Sequence, residues 1–282
     1  MIPVLIHFGF IKIYTMGVFL VLAFLAAAFA LWRNIKLTSH KEEEIFDGLF
    51  VTILGAFLGA RVVHVLLNFE KFGFDIMKFI LVNGYPGLSL FGALLGGFIT
   101  LFLFMRSRKV SVVELSEYVV PPLFLALTIA KVGSFLSGSD IGTVTSFPLS
   151  VVYAGVEGTR HIVALYEAVF FLIGYVISYR ILFAVRRAQA KPGTSLMLFV
   201  AYFGCVELIV DNLKLNHLYL AGLSFNSLAG GLFFVLGALL LLTTYRENIA
   251  QIIKNLLVKK QKHVTTTSQQ STTGGAEAGT SE

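Results

Sequence analysis

Apolar residues gather in seven runs along the chain, separated by more polar segments. Each run is close to 20 residues long, the length of helix that crosses about 30 Å of hydrocarbon. The pattern therefore predicts an all-α integral membrane protein with about seven transmembrane helices. The runs cover residues 12–32, 46–67, 87–105, 112–130, 163–182, 195–212 and 225–245.

The C-terminal part of the chain has a different pattern. Residues 248–257 carry isoleucines and a leucine at helical spacing, followed by lysines, which is typical of a helix lying along a membrane surface. Residues 264–282 are polar and show no periodicity, which predicts disorder. The predicted division is a transmembrane domain at 1–247, a basic surface segment at 248–263 and a disordered tail at 264–282.

Composition excludes an ordinary soluble protein. Of 282 residues, 56% are hydrophobic and only 13% are charged, whereas soluble domains carry about 25% charged residues. The single cysteine, Cys205, lies inside an apolar run and excludes a disulfide framework or a cysteine-based metal site. The sequence predicts neither a metal nor a cofactor.

Lysines and arginines are distributed unevenly among the loops. Most lie in residues 33–41, 106–109, 180–191 and 246–262, on one side of the predicted helices. Cytoplasmic loops carry this excess in membrane proteins, so the N-terminus is predicted to face outside and the C-terminus the cytoplasm. The net charge of +6 is explained by this excess and by anionic lipid, without nucleic acid as a partner. The long loops 68–86, 137–162 and 213–224 then face outward.

Ionisable groups inside a span are costly unless they are paired or wetted, so each is a candidate functional residue. Arg61, His64 and Asn68 form a polar stripe near the outward end of the second run. The stripe favours a site for a polar ligand. The alternative is an arginine that extends to the interface and anchors the helix end.

Acidic residues occur in the fifth and sixth runs. Glu167 lies near the start of the fifth, and Glu207 and Asp211 share one face of the sixth. Arg61 and Lys131 are the expected partners, which predicts a buried cluster of compensating charges, with Glu207 compensating Lys131. A structural ion-pair network would give the same pattern, so both interpretations stay open.

Glycines mark two further features. Lys131 and Ser134 follow the fourth run and lead into a segment with Gly133, Gly138 and Gly142, where backbone can approach a ligand or helix closely. The G-x-x-x-G spacings at residues 55–59 and 92–96 predict close contact between helices.

Five blocks of sequence together resemble the prolipoprotein diacylglyceryl transferase family of bacterial membrane enzymes. They are GARVVHVLLNFEKF at 59–72, PGLSLFGALLGG at 86–97, AKVGSFLSGSDIG with FPLSVVY at 130–153, RHIVALYEA at 160–168 and YFGCVELIVDNLK at 202–214. The resemblance covers about residues 7–245. It implies transfer of the diacylglyceryl group of phosphatidylglycerol to a lipobox cysteine of a prolipoprotein, with release of glycerol phosphate. It also implies a multi-pass protein of the bacterial cytoplasmic membrane, in contact with membrane lipid.

The chain departs from the family pattern at several of these positions. Phe91 stands where the family usually has His or Tyr, and Lys131 and Ser134 stand where it has Arg and Asn. Glu207 stands in place of an arginine, which reverses a charge. The acid of the glycine segment falls on Ser139, with Asp140 beside it.

The resemblance, with these departures, implies roles for individual residues. His161, Asp140 and Lys131 are the expected catalytic residues, because the reaction needs a base for the thiol and a cation for the phosphate. The expected substrate-binding residues are Arg61, Ser134, Gly142, Arg160, Tyr166, Glu167, Glu207 and Asp211.

Three classes of function fit the sequence. The first is a divergent transferase. The second is a homologue that binds lipid or a lipoprotein partner without transfer. The third is a transporter or channel, although no repeated half of the chain supports it.

Overall fold

A computed structural model describes residues 2–251, apart from 9, 10, 83, 216, 218, 221 and 249. The helices are α1 (Thr15–Ile35), α2 (Glu42–Leu67), α3 (Phe69–Phe72), α4 (Ile76–Ile80), α5 (Leu90–Ser107), α6 (Val112–Ser137), α7 (Val163–Arg186), α8 (Thr194–Asp211) and α9 (Phe225–Thr244). Three antiparallel hairpins pair β1 (Val4–Phe8) with β2 (Ile11–Tyr14), β3 (Ser150–Val152) with β4 (Thr159–His161), and β5 (Tyr219–Leu220) with β6 (Leu223–Ser224).

The prediction of an all-α membrane protein with seven spans is confirmed. Within the described residues, seven helices are long and apolar enough to cross a membrane: α1, α2, α5, α6, α7, α8 and α9. Large apolar side chains face outward along them; Phe50 is 66% exposed and Leu232 is 67% exposed. A protein in water would bury these side chains, whereas lipid solvates them.

Several predicted helix limits differ from the structure by three residues or more, and two of them bear on the site. The first run is predicted to begin at residue 12, but residues 12–14 belong to β2. Hydropathy alone does not distinguish a short apolar strand from the start of a membrane span. The fourth run continues to Ser137, so Lys131 and Ser134 lie in the last turns of α6 and not in a loop. Gly138, with φ of +73°, ends α6 in the left-handed conformation that favours glycine.

The predicted close contact of α2 with α5 is confirmed. A Cβ atom on Gly59 would lie 2.5 Å from the carbonyl oxygen of Gly92, and one on Gly96 would lie 2.4 Å from that of Gly55. Only glycine allows the two backbones to approach this closely.

The core of the helices is aromatic. Phe91, Phe124, Phe171, Phe199 and Phe203 are buried in one cluster that joins α5, α6, α7 and α8. Three of these rings, Phe171, Phe199 and Phe203, stack with centroids 5.6–5.7 Å apart. This cluster underlies the polar groups described below.

The chain divides after Ala238 into two units, and everything described below lies in the first. The second unit begins at Leu239 with the last turns of α9. The predicted surface segment and tail lie outside the described residues from 252 onward.

The long loops 68–89, 138–162 and 212–224 meet at one end of the first unit, which we call the loop-rich end. The starts of α5 and α9 meet there, since the rings of Phe91 and Phe225 lie 6.0 Å apart. The N-terminal segment reaches the same end, because Ile2 N–H donates to the carbonyl of Leu136 near the end of α6.

Candidate active site

The backbone of three loop segments forms a small irregular sheet over the ends of α6, α7 and α8. Thr143 N–H donates to the Leu213 carbonyl at 2.8 Å, and Leu215 N–H donates to the Ile141 carbonyl at 2.9 Å. On the other side of residues 141–145, His161 N–H donates to the Thr143 carbonyl at 3.1 Å. The segment after α8 is thereby fixed beside the segment after α6 and the segment before α7.

Gly142 lies at the centre of this sheet, where it bridges to Lys214. A Cβ at this position would lie 2.3 Å from the His161 carbonyl oxygen, so no other residue fits without movement. The Gly142 carbonyl accepts a hydrogen bond from Arg160 Nη1 at 3.1 Å. Arg160 is therefore held by the sheet, and its Nε donates to the Glu157 carbonyl at 3.2 Å.

Beneath the sheet lies a chain of alternating charges, which we call the ion network: Asp140, Lys131, Glu167, Lys214 and Glu207. Lys131 Nζ lies 2.9 Å from Asp140 Oδ2 and 2.5 Å from Glu167 Oε2. Lys214 Nζ lies 2.8 Å from Glu167 Oε1 and 2.9 Å from Glu207 Oε2. Glu167 is therefore shared between the two ammonium groups, one from α6 and one from the segment after α8.

The ion network is almost entirely removed from solvent at its centre. The side chain of Glu167 is 0% exposed and that of Glu207 is 2% exposed, while the two lysines are 14% and 12% exposed. Burying a charge is costly, and the cost is offset only by close partners of opposite sign. Three carboxylates against two ammonium groups leave one negative charge in excess when all are ionised.

Two members of the ion network, Asp140 and Lys214, lie outside the helices, and their pKa values are shifted by burial and by their partners. Burial alone would raise the pKa of Asp140, but the Lys131 ammonium, the Ser134 hydroxyl and Lys214 together hold that pKa below its usual range. Burial alone would lower the pKa of Lys214, and the Glu207 and Glu167 carboxylates raise it above its usual value. Asp140 is therefore a weak base and Lys214 a persistent cation.

Asp211 lies one turn beyond Glu207 on α8 and belongs to a second polar group. Its Oδ2 accepts hydrogen bonds from the hydroxyls of Ser224, at the end of β6, and Ser227, in the first turn of α9. His217 Nδ1 lies 3.5 Å from the same oxygen. The carboxylate thus joins the end of α8 to the beginning of α9.

Several buried polar atoms have no hydrogen-bond partner among the described residues. They are Oε1 of Glu207, Oδ1 of Asp211, the Nδ1 atoms of His161 and His217, and both carboxylate oxygens of Glu167, which contact the ammonium groups as ion pairs. Unsatisfied buried atoms of this kind mark places where water or a ligand is expected.

Arg61 does not join the ion network, so the expectation that it pairs with Glu207 and Asp211 is wrong. Arg61 is 2% exposed, and its guanidinium donates to four backbone carbonyls of the segment between α2 and α5: those of Lys78 and Phe79 in α4, and those of Tyr85 and Gly87 after it. Such burial also contradicts the alternative of an arginine extended to the interface. Its role as a headgroup ligand stays a prediction.

The predicted compensation of Lys131 by Glu207 takes a different form in the structure. The two side chains are linked through Glu167 and Lys214, since Lys131 contacts Asp140 and Glu167, and Glu207 contacts Lys214. The sequence places Lys214 among the outward loop cations. Its spacing after Glu207 and Asp211, seven and three residues on, is the signal that could have identified it.

The remaining predicted residues border the ion network. Ser134 is buried in α6, and its hydroxyl is one of the groups that lower the pKa of Asp140. The Tyr166 hydroxyl donates to the Leu149 carbonyl at 2.7 Å. The ring of His161 lies between those of Phe147 and Tyr166, with centroids 6.3 Å and 6.1 Å away.

Phe91 is fully enclosed. Its ring contacts those of Phe203, Phe225 and Phe233 edge to face, with centroids 5.3–6.0 Å apart. The position where the resemblance implies His or Tyr is therefore apolar in this structure.

The fold and this site define a polytopic membrane protein with a buried ion network at one end of its helices. Residues 3–243 match the family model described as prolipoprotein diacylglyceryl transferase, and the chain belongs to that family.

Similar proteins carry the name phosphatidylglycerol–prolipoprotein diacylglyceryl transferase. One from Clostridium tetani is 28% identical over 75% of this chain and 85% of its own length. One from Geobacter sulfurreducens is 29% identical over 74% and 80%. One from Chromohalobacter salexigens is 31% identical over 73% and 78%.

Proposed function

We propose that this protein transfers the diacylglyceryl group of phosphatidylglycerol to the thiol of a lipobox cysteine in a prolipoprotein. The observation that supports this most strongly is the position of the ion network. It is built from the ends of α6, α7 and α8 and from segment 213–215, all within the region matched by the family model. The relatives named for this reaction cover most of the chain.

The reaction sets two demands on the site. The thiol must lose its proton as sulfur bonds to the glyceryl carbon, and the carbon–oxygen bond to phosphate must break as glycerol phosphate departs. A cation lowers the energy of the departing phosphate, and a base assists the thiol. Lys131 and Lys214 each contact two carboxylates, and each ammonium has three N–H donors, so a donor is available on each for a phosphate oxygen.

We assign Lys131 to the phosphate, with Asp140 and Glu167 fixing its position. Ser134, Gly142, Arg160 and Tyr166 would shape the same region, and His161 is one candidate base. Lysine acts as a point charge and lacks the two-pronged grip of arginine, so the contact is weaker than the one arginine would make. We expect a slower enzyme than relatives that carry arginine.

A second function is favoured by two specific observations. Phe91 removes a titratable group, and the carboxylates around Lys131 and Lys214 leave the ion network with a negative excess. Both features suit a homologue that binds lipid or a lipoprotein partner without transfer.

The test is lipidation by the protein itself. Cells depleted of their own transferase would express this chain, and the mass of a reporter lipoprotein would be measured. We expect the diacylglyceryl mass increase with the natural chain, and its loss with Lys131→Ala. Lys12→Ala, at an exposed lysine of β2, is the matched control. No lipidation from well-inserted protein, even with Phe91→His, would support the binding function instead.

We also propose that the loop-rich end faces outward from the bacterial cytoplasmic membrane, where a secreted cysteine and outer-leaflet lipid can meet. Single cysteines at Ser107 and Ser146, in a Cys205→Ala background, would report the orientation. A membrane-impermeant thiol reagent should label residue 146 and spare residue 107 in intact cells. Equal labelling, or labelling of residue 107 alone, would reverse or reject this orientation.

A further inference from the structure

A histidine lies against a buried carboxylate at the edge of the ion network. His217 Nδ1 is 3.5 Å from Asp211 Oδ2, within ion-pair distance, and this nitrogen has no hydrogen-bond partner among the described residues. The side chain of His217 keeps 16% of its surface exposed. Asp211 is fully buried and is fixed by the Ser224 and Ser227 hydroxyls. The carboxylate therefore has a single position, and the partly exposed imidazole rests against it.

This arrangement determines which nitrogen of the imidazole is available. A carboxylate beside Nδ1 favours the tautomer with its proton on Nδ1, and Nε2 then keeps its lone pair. The same carboxylate stabilises the imidazolium that forms when Nε2 takes a proton. A carboxylate that orients a histidine in this way is a recurring arrangement for activating a nucleophile.

We propose that His217, oriented by Asp211, is the base that takes the proton of the acceptor thiol. This inference rests on the proposed transferase function and adds to it the group that the site otherwise lacks.

Other candidate bases fit less well. Asp140 is paired with Lys131, and its pKa lies below the usual range. Within the described residues, no histidine other than His217 lies within 4 Å of a carboxylate. His161 therefore lacks a carboxylate that could orient its ring.

The step balances as follows in atoms and charge. The S–H bond breaks and its proton passes to Nε2 of His217, while the sulfur electron pair forms the S–C bond with the glyceryl carbon. The C–O bond to phosphate breaks, and its electron pair leaves with glycerol phosphate. The imidazolium then returns its proton to the departing phosphate or to water, and Asp211 stays ionised throughout.

The charged and titratable groups near the imidazole come from each neighbouring element. They are Asp211 of α8, Lys214 of the segment after α8, which also acts on Asp211, and Tyr219 of β5, whose ring centroid lies 5.9 Å away. The start of α9 contributes the neutral hydroxyl of Ser227.

The test uses purified full-length protein with phosphatidylglycerol and a lipobox peptide. We expect His217→Gln to lower kcat about 10²- to 10⁴-fold, the usual contribution of general-base help, with KM for phosphatidylglycerol little changed. The pH–rate profile of the natural protein should have an acidic limb, because a protonated base cannot accept a second proton. That acidic limb should be absent in His217→Gln, and added imidazole should restore part of its rate. His40→Gln is the control, because His40 lies in the connection between α1 and α2, at the other end of α1 from the loop-rich end.

The possible outcomes separate this inference from the proposed function. If the natural protein is active and His217→Gln is equally active, the role of His217 is overturned and the proposed function stands. The same conclusion follows if His217→Gln loses activity, imidazole does not restore it, and the acidic limb of the pH–rate profile remains. Inactive natural protein overturns both. If the variant fails to insert, diethyl pyrocarbonate modification of the natural protein provides the second measurement. Loss of activity should then follow modification of His217, located by mass spectrometry, and loss without such modification would contradict the role.

Discussion

Two buried cationic groups at the loop-rich end are satisfied in opposite ways. Arg61 donates to four backbone carbonyls, all neutral, from a single loop. Lys131 and Lys214 contact carboxylates from α7, α8 and the segment after α6. The arginine connects a loop to a helix, whereas the lysines connect three helices through side chains alone.

The difference between these two groups shows how a buried charge at a ligand site can be told from one with a structural role. Both groups contain ionisable residues inside spans, and that criterion alone would select both. Arg61 has four of its five N–H donors satisfied, whereas the group around Glu207 and Asp211 leaves carboxylate oxygens without partners among the described residues. Unsatisfied bonding capacity is the feature that distinguishes a place for a ligand from a structural connection.

Removal of one lysine from the ion network should have the largest effect on stability. Lys214→Met leaves Glu207 without its partner and Glu167 with only one, so buried negative charge is no longer compensated. We expect the free energy of unfolding in bicelles to fall by about 3–5 kcal/mol. Lys12→Met, on an exposed strand, should change it little. A similar small change for Lys214→Met would mean that the ion network is wetted or unformed.

Arg61→Lys should have a smaller effect, because the positive charge remains. Lysine has one nitrogen and cannot reach four carbonyls, so we expect a loss of about 2–3 kcal/mol in unfolding free energy, on the scale of charge-assisted hydrogen bonds. Arg33→Lys, at the exposed end of α1, is the matched control. An unchanged stability with a tenfold higher KM for phosphatidylglycerol would instead place Arg61 in the headgroup site.

Coupling energies between pairs of residues in the ion network should be smaller than the stability losses above. They should be largest for residues in direct contact. In a double-mutant cycle of Lys214→Met with Glu207→Gln, we expect a coupling of about 1–3 kcal/mol, as for residues in direct contact. The cycle of Lys131→Met with Glu207→Gln should give less than about 0.5 kcal/mol, because Glu167 and Lys214 stand between. Equal couplings in the two cycles would favour direct compensation of Lys131 by Glu207.

The spans could be predicted from sequence because hydropathy depends on neighbours along the chain. All seven predicted runs overlap a long helix, and the errors lie at ends where another local feature acts, such as Gly138 after α6. The partners of the buried charges could not be predicted in the same way. Arg61 donates to backbone carbonyls, which every residue has, so the residue types in the sequence do not indicate which partners Arg61 will find.

The place of Lys214 depended on a contact between distant segments. Hydrogen bonds from residues 213–215 to residues 141–143 turn this segment back over the helix ends and bring the ammonium under the sheet. The spacing of Lys214 after Glu207 and Asp211 indicates a contact with α8, but it gives no sign of the contact with Glu167 of α7. The pairing of His217 with Asp211 was missed for the same reason, since the intervening segment has no helical or strand periodicity.

The shared carboxylate of Glu167 has a consequence for how the chain is made. Synthesis proceeds from the N-terminus, so α6 with Lys131 is available when α7 enters the membrane, while Lys214 is still to come. Glu167 therefore enters lipid with one counterion, and gains the second only after α8 has followed. The charge of Glu167 is therefore compensated in two steps. Lys131 of α6 is its partner when α7 inserts, and Lys214 completes the ion network after α8 has inserted.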